Sequence, residues 1–206
     1  MTSNKSIPKC IHQIWLQGQE NIPPHYEPWR QSIIQKNPSF DYTLWCEKSF
    51  LVLLEKKEPD LIDFFLNLPY QINQVDFMKY VILYHLGGVY IDMDVRCLRD
   101  ISSGIYQTFP DNFYEKFCSN PGLIVQRWVY IGIARNFQII NNNFIASYKH
   151  HEVIRQLIDD GVKYIEKMSN NRIKKEKFRM TEESFGPIRL SHAIHKIIES
   201  ENDLCI

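Results

Sequence analysis

QVDFMKYVILYHLGGVYIDMDV, residues 74–95, is the stretch that decides how the chain folds. Its first part repeats apolar residues at helical spacing. Val75, Met78, Ile82 and Leu86 form one stripe, Asn73 stands where an N-cap belongs, and Gly87-Gly88 can supply a left-handed stop. After the glycines the period changes. From Val89 to Val95, Val89, Ile91, Met93 and Val95 share one face of a strand, and Tyr90, Asp92 and Asp94 share the other. A helix that runs through a glycine stop into an apolar strand is half of an α/β unit. The strand also carries two carboxylates on one side. Positions two apart on a strand lie roughly 6.5–7 Å apart along the backbone, so the side chains can converge on one ion where the strand bends or ends. Two anions that close raise each other's pKa unless a cation neutralises them. Oxygen-only ligation suits magnesium or manganese, which complete their shells with water and phosphate oxygens. A D-x-D alone is more often a solvated turn or a cap than a metal site; its place at the carboxyl end of a strand, where open α/β sheets bind ligands, gives it weight.

Working upstream, Lys9–Leu16 reads as a first strand between Pro8 and Gly18. Pro28 opens a short helix that stops before Asn37-Pro38, because proline disfavours helical geometry in the residue preceding it. Phe40–Trp45 alternates as a half-buried strand, with Phe40, Tyr42 and Leu44 opposite Asp41, Thr43 and Trp45. Helical spacing covers 51–57, 61–68 and 73–86, with Pro59 and Pro69 as breaks. Downstream, the sequence is less regular to about Pro121. A strand follows at 144–147, a helix at 152–168, and a last helix from Gly186-Pro187. The alternation predicts an α/β fold with a mostly parallel central sheet flanked by helices, and one domain over residues 1–206.

Lysine plus arginine balances aspartate plus glutamate at 24 each, which gives no overall field toward nucleic acid or an anionic membrane. The five cysteines, Cys10, Cys46, Cys97, Cys118 and Cys205, are scattered and odd in number, as expected of free thiols in a reducing compartment. The opening MTSNKSIPKC lacks the pattern of a signal peptide, and no apolar run is long enough for a transmembrane segment, so the chain reads as soluble and cytoplasmic. Three features read most simply as ordinary structure. Trp29 and Trp45 are core aromatics, His192 and His195 are surface histidines with no third soft ligand nearby, and RIKKEKFR at 172–179 is a solvated basic face or loop.

Several blocks occur in order: IPKCIHQIW at 7–15, NPSFDYTLW at 37–45, the 74–95 stretch, NNFIASYKHHEVIRQLI at 142–158 and FGPIRLSHAI at 185–194. Together they resemble the glycosyltransferases with a DXD-containing sugar-binding region. That family includes fungal Golgi mannosyltransferases and bacterial capsule and lipopolysaccharide sugar transferases, and the glucosyltransferase domains of clostridial toxins look like more distant relatives. The resemblance implies a GT-A fold, a Rossmann-like sheet, Mn2+ (or Mg2+), and a UDP- or GDP-sugar donor. It further implies retaining transfer of a hexose or N-acetylhexosamine to a glycan, glycoconjugate or other hydroxyl acceptor. By the family pattern, Asp94 is the more direct metal ligand, joined by Asp92, which lies near the donor ribose and sugar. Ile14 and Trp15 meet the nucleotide, Trp15 by stacking on its base, and Asp76, Lys79 and Tyr90 line the donor pocket. Asp92, Asp94 and Asn143 are the implied catalytic residues. An amide such as Asn142 or Asn143 is a poor nucleophile, which favours front-face attack over double displacement.

The chain departs from the family pattern in three places. Asp76 is followed three residues later by Lys79 where relatives carry arginine, which exchanges a planar fork for one compact charge. Phe185-Gly186-Pro187 stands where many relatives have T-G-P. Many relatives also continue into a histidine- and tryptophan-bearing segment, whereas this sequence stops at Ile206. A non-catalytic nucleotide-sugar or glycan-binding module is therefore the second reading. A haloacid-dehalogenase-like phosphatase is the third, disfavoured because Arg96 stands where that motif needs a hydroxyl residue.

Overall fold

The computed structural model describes residues 6–102, 123–127, 140–168 and 176–202. Its centre is a five-stranded sheet, β1 Cys10–Ile14, β2 Asp41–Trp45, β3 Gly88–Ile91, β4 Leu123–Arg127 and β5 Ile140–Ser147, in the order β2-β1-β3-β5-β4. β1 runs parallel to β2 and to β3, while β5 is antiparallel to both β3 and β4. All strands but β5 therefore share one direction. Seven α-helices accompany them among the described residues: α1 Glu27–Lys36, α2 Glu47–Lys57, α3 Ile62–Leu66, α4 Gln71–Leu86, α5 Glu152–Glu166, α6 Lys177–Ser184 and α7 Pro187–Asn202.

The sheet divides two apolar layers. The larger joins Ile14, Trp45 and Tyr90 of the strands to residues of α2–α5 and α7, with a knot of aromatic rings from Phe50 through Phe77 to Phe185. The smaller gathers Ile11, Val89, Ile91 and Ala146 against Ile33 of α1 and Phe40. Alternation along β1 follows from the pleat: Ile11 and Ile14 lie in different layers, and the buried polar residues between them, His12 and Gln13, find partners on opposite sides in Trp45 and Tyr42.

Both faces of the sheet are covered, which explains where the periodicity misleads. Phe40 and Trp45 are both buried, on different sides, so β2 is not divided into an apolar and a solvated face. Likewise α4 is buried on more than one stripe, since Asp76, Lys79 and every residue between them are nearly sealed. Its N-cap position is Tyr70, not Asn73; Asn73 is buried and its amide donates to Ser184 Oγ at 3.0 Å. Gly87 and Gly88 do have positive φ, 65° and 98°, as the stop between α4 and β3 requires. At Gly88 a Cβ would stand 2.6 Å from the Cys10 carbonyl oxygen, so close pairing of β3 with β1 demands glycine there.

β3 is shorter than the predicted Val89–Val95. It ends at Ile91, and Asp92–Asp94 turn away from the sheet, with the Val95 N–H donating to the Asp92 carbonyl at 3.3 Å. β4 lies between Pro121 and residue 144, where no element is predicted, and Lys177–Arg179, read as a solvated face or loop, are exposed in the first turn of helix α6. Residues 172–175, Cys118 and Cys205 lie outside the described residues; Cys10, Cys46 and Cys97 are free thiols. No helix among the described residues is long and apolar enough to cross a membrane.

Candidate active site

Asp92 is held from several directions just past the end of β3. Its backbone N–H donates to the Asn143 carbonyl at 2.9 Å, and its carbonyl accepts from the Gln13 side-chain amide at 3.1 Å. Gln13 is itself oriented by the Tyr42 hydroxyl, 2.8 Å from its Oε1. At the side chain, the Tyr90 hydroxyl donates to Asp92 Oδ1 at 2.5 Å, and Lys79 Nζ lies 3.5 Å from the same oxygen. The pleat places Tyr90 and Asp92 on one side, as the sequence predicts.

Lys79 connects this carboxylate to a deeper one. Its Nζ is 2.8 Å from Asp76 Oδ1 and donates to the Asn142 carbonyl at 3.3 Å, and the Asn142 amide donates to Asp76 Oδ1 at 3.0 Å. The i, i+3 spacing on α4 brings Asp76 and Lys79 together. Asn142 arrives through an irregularity in β5: Val125 pairs with Ile145, but the next residue, Gln126, pairs with Asn141, so Asn142–Phe144 have no partner in β4. Such bulges re-aim side chains beside functional sites.

Burial and charge oppose each other here. Burial lifts the Asp76 carboxyl above the ordinary carboxylate range, while Lys79 and Asn142 pull it down. For Lys79, burial works against the charge, but the carboxylates of Asp76 and Asp92 outweigh it and hold the ammonium above the usual lysine value. Burial, reinforced by Asp92, pushes the Tyr90 phenol well up, which keeps it a hydrogen-bond donor. Glu182 of α6 also belongs to this neighbourhood, since burial first and Asp76 second raise its carboxyl.

Asp94 differs from all of these. It is exposed, and no hydrogen bond or ion pair holds its carboxylate among the described residues. Asp76 and Asp92 both face the Lys79 ammonium, and the exposed Asp94 carboxylate two residues past Asp92 stands open. No three histidine, cysteine, aspartate or glutamate side chains converge as a ready metal cage among the described residues. Two carboxylates with water and phosphate oxygens are nevertheless the usual shell of magnesium and serve manganese equally, so the donor set fits the implied ion.

Of the residues singled out from the sequence, Asp76, Lys79, Tyr90 and Asp92 form one network, joined by the Asn143 backbone. Asn143 Oδ1 is buried and has no hydrogen-bond partner among the described residues. Trp15 stands apart, half-buried, with its Nε1 donating to the Asn21 carbonyl at 3.0 Å and its ring 5.4 Å from that of Tyr26. The Ile14 side chain is 3% exposed and packed in the larger core. Asp76 and Lys79, expected to line an open pocket, are sealed at 4% and 2%. Gln13 escaped the sequence reading, although a polar residue inside the apolar strand CIHQI is a signal that a buried partner must exist.

The strand order, the antiparallel β5 and the carboxylates beyond β3 define an α/β domain of the GT-A type. The structure is similar to that of the PaToxG glycosyltransferase, with a TM-score of 0.65 over 94% of this chain and 70% of that one at 19% identity, a likeness of fold. Residues 23–112 match the family described as glycosyltransferase sugar-binding region containing DXD motif. Over 95 residues the chain is 38% identical to a mannosyl phosphorylinositol ceramide synthase of Saccharomyces cerevisiae, covering 46% of this chain and 24% of that protein. Over 101 residues it is 36% identical to an inositol phosphoceramide mannosyltransferase of Schizosaccharomyces pombe, covering 48% and 28%. The chain thus spans about a quarter of the length of these curated relatives.

Proposed function

We propose that the chain is a retaining, metal-dependent glycosyltransferase that moves a sugar, mannose in the first instance, from a GDP- or UDP-sugar to a hydroxyl acceptor. The observation that carries this is the pairing of a fixed and an open carboxylate: Asp92 braced by Gln13, Tyr90, Lys79 and Asn143, and Asp94 exposed two residues on. Mannosyl transfer is favoured because the curated relatives are named as an inositol phosphoceramide mannosyltransferase and a mannosyl phosphorylinositol ceramide synthase. Their names also make a glycosylated or phosphoinositol-bearing lipid the first acceptor to try.

Asp94 and Asp92 hold manganese or magnesium, which when bound supplies Lewis-acid neutralisation of the departing nucleoside diphosphate. The free oxygen of Asp92 orients donor hydroxyls, Asn143 Oδ1 accepts from a sugar or acceptor hydroxyl, and Trp15 offers an aromatic face to the base. With an amide in the Asn143 position, attack comes from the face of the leaving group, and its phosphate oxygen takes the acceptor's proton.

The experiment is thermal unfolding against a panel of GDP- and UDP-sugars, with and without manganese, in wild type and Asp94→Asn, followed by transfer or donor hydrolysis with the sugar that binds. A folded-state ligand at a hundred times its Kd adds about 2.7 kcal/mol. We expect one donor to raise the melting temperature only with manganese, the shift to vanish in Asp94→Asn, and the released or transferred sugar to keep its anomeric configuration. Stabilisation without turnover would make the chain a binding module; no stabilisation by any donor would refute the assignment.

A further inference from the structure

We propose that Lys79 is a positioning residue that fixes the Asp92 carboxylate from within the protein and does not touch the donor. The inference rests on the transferase reading above and assigns Lys79 a role other than the donor contact that its place in the motif suggests.

An ammonium has three protons and no further donors. Lys79 Nζ has three oxygens around it, Asp76 Oδ1 at 2.8 Å, the Asn142 carbonyl at 3.3 Å and Asp92 Oδ1 at 3.5 Å. The Tyr90 ring lies over it, with its centroid 4.7 Å away. The side chain is 2% exposed. A diphosphate could reach this charge only by displacing one of these oxygens and opening the packing that seals it, and each displaced oxygen would then stay buried without its donor.

The same contacts show what the charge does. Asp92 Oδ1 receives both Lys79 and the Tyr90 hydroxyl, while Oδ2 takes no hydrogen bond among the described residues. One oxygen is therefore pinned to the protein and the other is presented outward. Asp76 has no open face; it balances Lys79 from below and is held by Asn142 from β5. Asp76, Lys79 and Asn142 thus make a buried frame connecting α4 and β5, and the frame sets the direction of the Asp92 carboxylate. Arginine, with five donors in a planar fork, could grip an inner carboxylate and a ligand together, whereas the compact lysine ammonium already has three protein oxygens within 3.5 Å.

The test compares Lys79→Met, Lys79→Arg and the double variant Asp76→Asn/Lys79→Met with wild type. The probe is manganese-dependent turnover of GDP-mannose or UDP-glucose, whichever wild type accepts. Thermal melts establish that each protein is folded, and the double variant, which removes the buried charges together, provides a folded sample should Lys79→Met fail to fold. We expect donor KM to stay near the wild-type value and kcat to fall roughly 10- to 100-fold in both methionine variants, the loss typical of an outer residue that orients a ligand-binding one. Lys79→Arg restores most of kcat by returning a donor to Asp92. A rise in donor KM matching or exceeding the fall in kcat would overturn the proposal and make Lys79 a direct donor ligand, while unchanged kinetics in the methionine variants would show that Asp92 needs no such frame. Failure of wild type to bind or turn over any GDP- or UDP-sugar of the panel would refute the transferase reading itself, and this proposal with it.

Discussion

Both ring nitrogens of His12 are occupied: Nε2 lies 2.9 Å from the Gly87 carbonyl and Nδ1 3.2 Å from Trp45 Nε1. A carbonyl accepts and an indole N–H donates, so the ring must be neutral with its proton on Nε2. Burial, only partly offset by the Gly87 bond, brings its pKa from 6.5 to about 4. The sign follows from linkage. Above pH 6.5 neither state binds the proton. Between 6.5 and 4 the unfolded chain binds it and the folded one does not, so stability falls as pH falls, and below 4 the loss is complete. Between pH 7 and 4.5 this group should remove roughly 2–3 kcal/mol. Urea unfolding of wild type and His12→Gln at both values checks it: the stability difference between the two proteins should narrow by that amount at pH 4.5, and a constant difference would show that His12 is charged when folded. At this scale the sequence was partly legible. The Asp92 and Asp94 pair was visible in a period of two, but the burial of Asp76 and Lys79 was not, because an i, i+3 charge pair looks the same on a solvated helix face as inside a core.

Among the elements, α5 and the turn before α7 show a contact that helix propensity alone would misjudge. Gly161 lies within α5, where alanine would ordinarily gain about 1 kcal/mol of helix stability. A Cβ at this position would overlap the Phe185 ring, which is fully buried against Phe77. Overpacking a core costs roughly 1–3 kcal/mol, so the clash outweighs the propensity gain. Gly161→Ala should therefore lower the melting temperature, and adding Phe185→Leu should recover part of the loss; a more stable single variant would show that the ring moves aside freely. The departure from T-G-P at 185–187 has a packing role in this arrangement, since Phe185 fills the space that Gly161 leaves. Element positions were legible from proline, glycine and apolar spacing, and β1, α1, β2, α4 and α5 lie within a few residues of their predicted places. β4 and α6 were missed. β4 is recognised by its pairing with β5, and the basic α6 carries little apolar periodicity to announce it.

In the molecule as a whole, one sheet serves two apolar layers, and β1 and β3 contribute to both. Losing the smaller layer would strip the side of the sheet against which Gln13 and Tyr42 secure Asp92. Unfolding in urea should accordingly be one transition, with tryptophan fluorescence and far-ultraviolet circular dichroism superimposing; two separated transitions would show that the layers fold independently. The sequence by itself determined the α/β class, the order of most elements, the glycine stop and the carboxylate pair beyond β3, since each is written in local spacing and turn chemistry. Only the tertiary structure decided that β3 ends at Ile91, that β5 runs against the other strands, and that Lys79 is enclosed by Asp76, Asp92 and Asn142. Those outcomes depend on groups brought together from α4, β3 and β5, where burial makes every charge and hydrogen bond depend on a partner remote in the chain.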